Sequence, residues 1–121
     1  MKLPGPDHPI TIKPAPERVR VTFNGKVVAD TRRALVLQEA SYKPVFYIPR
    51  DDAQMALFER TAHSTHCPYK GDASYYTIKA GDRASENATW SYEAPFPAMK
   101  EIAGRLAFYP NRVDKIEVVP A

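Results

Sequence analysis

The chain has 121 residues, 44% of them apolar, and a formal net charge of +3. That length supports one domain whose core buries about two-thirds of the unfolded surface, which argues against a second domain. No run approaches the roughly 18 apolar residues of a membrane span, and Met1–Pro6 lacks the apolar core of a signal peptide, so a soluble, cytoplasmic protein without a membrane partner is expected. The single cysteine excludes an internal disulfide and fits a reducing compartment. A pI near 9.0 raises the question of a nucleic-acid partner. Yet lysines and arginines are interleaved with carboxylates, and the densest group, Arg18, Arg20, Lys26, Arg32 and Arg33, has only Phe23 as an aromatic platform. An ordinary solvated surface is the expectation, and no nucleic acid is assigned as a partner.

Twelve prolines and only five glycines punctuate the chain into many short segments, which favours strands over helices. Residues 1–17 hold five prolines and little periodicity, and read as an extended arm with a short strand at Ile10–Ile12 that caps a sheet edge. Residues 18–121 read as a single β domain. Arg18–Phe23 alternates, with Val19, Val21 and Phe23 on one face, and Asn24-Gly25 supplies a type I′ turn into Lys26–Ala29. Ala34–Glu39 and Val45–Ile48 are two further strands, separated by a segment in which Pro44 limits pairing. Asp51 or Asp52 is placed to cap a short helix over Ala53–Phe58.

Thr65–Gly71 gathers the only cysteine, a histidine, a tyrosine and a lysine into what reads as one tight turn. Beyond it, Ala73–Lys79 is rich in strand formers, and Asn87–Glu93, with Trp90 and Tyr92 on one face, is its expected antiparallel partner across the Ala80–Arg83 loop. A single helical turn is expected over Ala98–Gly104. Leu106–Tyr109 and Lys115–Val119 close the chain as strands, and no internal repeat is present. The pattern describes a mostly antiparallel β protein, with sandwich and partly open barrel both open at this point.

Four motifs occur in a specific order: Tyr47-Ile48-Pro49-Arg50, Cys67–Tyr76, Trp90-Ser91-Tyr92-Glu93-Ala94-Pro95 and Ala107-Phe108-Tyr109. With them the chain resembles the domain-of-unknown-function 427 family over nearly its whole length, from His8 to Val118. The resemblance implies a mainly β fold of two antiparallel sheets pinned at one end, a β-tent with one or two short helical turns. That fold is similar to methionine sulfoxide reductase B and the ligand-binding domain of cereblon. It implies no known reaction. Those relatives hold zinc with two Cys-x-x-Cys knuckles, whereas Cys67-Pro68-Tyr69-Lys70 puts a lysine where the second thiolate would stand, and no other knuckle exists. Four ligands would have to come from Cys67, His63, His66 and the distant His8, so no metal and no cofactor is expected. A nucleotidyltransferase-like label attached to the family is not supported by the residues either. The neighbouring Asp51 and Asp52 would face opposite ways on a strand, and Gly71-Asp72 is not a glycine-rich phosphate loop.

Three functional readings remain. The leading one is a small-molecule binding module with Tyr47, Tyr75, Trp90 and Tyr92 as aromatic walls and Arg50, Thr65 and Lys70 as polar groups, to which His63 adds an imidazole. Its ligand would be ring-bearing, stacking on the aromatics, or anionic, neutralised by Lys70 with Arg50. Tent-like relatives hold ligands on the open side of their sheets, and the resemblance is what favours a pocket over a plain aromatic core. The second reading is an enzyme using Cys67 as nucleophile with His63 or Lys70 as its activating partner; His63, Thr65 and Cys67 would share a face of an extended segment, with His66 turned away. The third is a structural or protein-interaction domain. Monomer and homodimer are both compatible with unpaired sheet edges.

Overall fold

The computed structural model describes residues 1–120, and antiparallel β-structure dominates them. Ten strands form: β1 (Ile10–Pro14), β2 (Arg18–Phe23), β3 (Lys26–Thr31), β4 (Leu35–Glu39), β5 (Val45–Tyr47), β6 (Phe58–Cys67), β7 (Gly71–Ala80), β8 (Arg83–Ser91), β9 (Ala107–Phe108) and β10 (Lys115–Val119). The helical content is four short 3-10 turns, Arg50–Asp52, Met55–Leu57, Pro97–Ile102 and Pro110–Arg112. Among the described residues no helix is long and apolar enough to cross a membrane.

The mainly β class follows the sequence pattern, but the strands divide among three sheets rather than two. Their orders are β1-β4-β5, β10-β2-β3 and β6-β7-β8-β9. Alternation of apolar residues reports which face of a strand is buried and is silent about its partner, so the division was not readable from it. The β2–β3 hairpin forms through Asn24 and Gly25, both at positive φ (51° and 74°), as a type I′ turn requires. Ile10–Pro14 pairs with β4 in the register Ile10↔Glu39 to Pro14↔Leu35, and β1 occupies the edge of that sheet.

Two expectations are corrected. The carboxylates of Asp51 and Asp52 cap no helix: Asp52 accepts bonds from the Thr31 hydroxyl at 2.6 Å and from Arg33 at 3.2 Å, and the turn at Met55–Leu57 begins without a side-chain cap. The segment Phe58–Cys67 forms a ten-residue strand, so Thr65 and His66 belong to a ladder and only Pro68–Lys70 turns the chain. This strand lies at a sheet edge with most of its side chains in solvent, so no apolar alternation marks it. A bulge interrupts it: Thr61, Ala62 and His63 lie opposite Tyr75 alone.

Strand β7 is the common wall of the interior. Its alternate residues face opposite ways; Tyr76, Ile78 and Ala80 join a core with Val19, Val21 and Phe23 of β2, whereas Ala73 and Tyr75 join a second core with Leu37 of β4 and Tyr47 of β5. Met99 and Ile102, carried by the Pro97–Ile102 turn, complete the second core.

Candidate functional site

Beside the second core the sheets stand apart, leaving a cleft of about 240 Å³. Its walls are the rings of Tyr47, Tyr75, Trp90, Tyr92 and Tyr109, with Tyr42 at one side. The pairing of β7 with β8 sets Tyr75 opposite Trp90, and Trp90 in turn leans on Tyr109 with ring centroids 4.5 Å apart. The Trp90 indole N–H donates to the Tyr47 hydroxyl at 3.3 Å, and the Tyr75 and Tyr109 hydroxyls lie 3.2 Å apart. Among the described residues the Tyr92 hydroxyl has no hydrogen-bond partner, and it is not sealed from solvent. Burial pushes the Tyr47 and Tyr92 phenols far above their ordinary values, and burial with the neighbouring Tyr75 raises Tyr109 to about 12. All three are therefore neutral hydrogen-bond donors at physiological pH.

The polar end of the cleft is an ion pair. Lys70, only 8% exposed, hydrogen-bonds Glu39 at the end of β4, and the other Glu39 oxygen lies 2.8 Å from His8 Nε2. Burial alone would raise the Glu39 carboxyl, but the hydrogen bonds and charges of Lys70 and His8 outweigh it and hold the group below the usual carboxylate range. The Tyr69 ring stacks on His8 at 4.1 Å, fastening the N-terminal segment over the pair, and Lys2 N–H donates to the Pro68 carbonyl at 2.7 Å. Gly71, which starts β7, adopts φ +111°, and a Cβ there would meet the Pro95–Phe96 backbone at 3.5 Å. The turn that presents Lys70 is thus locked from both sides.

Of the residues singled out in the sequence, Tyr47, Lys70, Tyr75, Trp90 and Tyr92 line the cleft. Thr65 stands at its margin, exposed, with its hydroxyl 3.0 Å from that of Tyr75. Arg50 does not reach it. Its guanidinium binds the Gly104 carbonyl, the Tyr76 hydroxyl, Ser91 and Glu93, which places it on the Tyr76 face of β7. Nor is Lys70 an unengaged cation, since Glu39 neutralises it. His63 is exposed and meets the Tyr75 ring edge-on at 4.5 Å. Cys67 is half-buried against the second core, and among the described residues no hydrogen bond joins it to His63 or Lys70. His66 pairs with Asp72 at 2.7 Å, and no three His, Cys, Asp or Glu side chains converge among the described residues.

Glu39, His8, Tyr42, Lys43 and Tyr109 were not foreseen as site residues. Tyr109 had a signal, as the last residue of the Ala107-Phe108-Tyr109 motif. Glu39 had none, because its approach to Lys70 depends on how the β1-β4-β5 sheet is set against β7.

Fold and cleft together describe a mainly β domain with an aromatic recess between its sheets. A family model described as "Domain of unknown function (DUF427)" matches residues 11–119, and the chain belongs to that family. A search of curated proteins found no match.

Proposed function

We propose that the protein is a small-molecule binding module whose ligand seats a planar ring in the aromatic cleft and offers a hydrogen-bond acceptor to the Tyr92 hydroxyl. The observation that carries this reading is an unpartnered, neutral phenol facing a recess walled by aromatic rings. In the free protein this hydroxyl reaches solvent, and an acceptor on a ligand takes over the bond that closing the cleft would otherwise leave unmade, worth about 1–3 kcal/mol. Because Glu39 cancels the charge of Lys70, the part of the ligand seated at that end, away from Lys43 at the dividing wall, is neutral rather than anionic. An amide, imide or nucleobase-like ring satisfies both demands, with about 240 Å³ limiting the seated portion to a single small ring system.

The test is a thermal-shift screen of ring amides, cyclic imides, nucleobases and aromatic carboxylates against the parent and the Tyr92→Phe and Trp90→Ala variants. Binding stabilises the native state by mass action. A neutral ring compound is expected to raise Tm, with affinity falling about tenfold in Tyr92→Phe and more in Trp90→Ala. No shift with any neutral ring compound, or a shift equal in all three proteins, would sink the reading.

A further inference from the structure

A second and larger recess lies where the edge strands β5, β9 and β10 of the three sheets come together. Its volume is about 430 Å³. Val19 and Val21 floor it, their cross-strand neighbours Val118 and Ile116 form one rim, and Phe46 and Phe108 stand opposite. Val118 is 45% exposed, so this rim of the groove is open to solvent. Among the residues lining the groove the only side-chain hydrogen-bonding groups are the Lys43 ammonium and the Trp90 indole, and the indole is already given to Tyr47. Apart from Lys43, nothing there can orient a polar ring. The groove differs in kind from the tyrosine cleft, with which it shares Lys43, Val45 and Trp90 as a dividing wall.

Lys43 carries the only charge on this lining, and none of the ion pairs among the described residues involves it. We infer that the groove is a binding site for a single-chain aliphatic carboxylate, its chain against the valines and phenylalanines and its head group on Lys43. The apolar lining rewards each methylene taken out of water, and the one unpaired cation sets the sign of the head group. This site stands independently of the ring-binding cleft.

Trp90 is the chain's single tryptophan and lines both recesses, so its fluorescence reports a ligand in either, and Val118, which lines only the groove, assigns the response. The full chain is titrated with octanoate, decanoate and dodecanoate below their micellar concentrations, and with decanol. Each added methylene is expected to tighten binding about fourfold, so decanoate binds more than tenfold tighter than octanoate. Decanol and the Lys43→Gln variant should each weaken the interaction about threefold relative to decanoate on the parent. Val118→Glu, at an exposed position that should leave Tm nearly unchanged, should weaken decanoate at least tenfold by setting a carboxylate in the chain's path. The absence of a saturable Trp90 response to any of the acids, an affinity indifferent to chain length, or parent-like binding by Val118→Glu would each overturn the inference. So would light scattering that finds a micromolar dimer dissociated by Val118→Glu, because a second copy of the chain would then cover the groove.

Discussion

Replacing Lys70 by methionine keeps the apolar stem that packs near Tyr92 and removes the charge that Glu39 needs. The side chains of Lys70 and Glu39 are 10% and 14% exposed, so the pair is largely buried although it lines the open cleft. Breaking such a pair from one side costs about 3–5 kcal/mol, because a buried carboxylate is left behind. His8, 2.8 Å from the other oxygen, keeps part of the compensation, which places the loss near the lower bound, about 3 kcal/mol. For a chain of this size that is about 12 °C in Tm. In the parent, Glu39 titrates below its ordinary value, so its contribution to stability is complete above the unfolded pKa of about 4.3 and is lost as pH falls through the folded value. In the variant, burial acts against a single remaining partner and drives the carboxyl upward. The sign then reverses: the folded variant takes up a proton more readily than the unfolded chain, and its deficit shrinks as the solution is acidified from about pH 7 towards pH 4. Urea unfolding at a series of pH values measures this, with the double variant Glu39→Gln/Lys70→Met as control. That double variant should recover about half of the loss, since no buried charge remains. A deficit below about 1 kcal/mol, a deficit that is flat with pH, or a double variant no better than Lys70→Met would refute the reasoning.

Gly71→Ala should destabilise the protein by about 2 kcal/mol in urea, because φ +111° strains an alanine although its Cβ would meet Pro95 and Phe96 only at ordinary contact distance; a loss under about 0.5 kcal/mol would mean the turn relaxes freely. Ultraviolet titration of the seven tyrosines should find at least three phenols, Tyr47, Tyr92 and Tyr109, that stay protonated until about pH 12 or until the protein unfolds. Their raised values give stability that is present below the unfolded pKa of about 10 and falls as pH rises beyond it, so the midpoint of urea unfolding should decline from about pH 10 upward. Seven tyrosines titrating together near pH 10 in a still folded protein would contradict the burial of the cleft walls.

The elements written in local chemistry were legible in the chain. Val19, Val21 and Phe23 alternate before Asn24-Gly25, and a period of two followed by two residues tolerant of positive φ leaves the backbone one economical conformation, the hairpin that forms. Strand β6 was hidden because an edge strand with wet faces needs no apolar pattern; it exists through the ladder that β7 offers it. The same contrast holds at the cleft. Tyr75, Trp90 and Tyr92 stand out because aromatics at alternate strand positions must face a common side, and that side is the cleft. What Lys70 does there depends on a carboxylate 31 positions away. Arg50, expected to join Lys70 in neutralising an anionic ligand, is carried past the cleft by the turn at Pro49 to Tyr76, Ser91 and Glu93. Sequence pattern by itself determined which side chains of β2 share a face and where the Asn24-Gly25 hairpin turns, since both follow from backbone geometry within a few residues. Which sheets pack together, which charges cancel and which rings are left facing a gap were decided only by the tertiary structure, because partners distant along the chain leave no periodic signal in it.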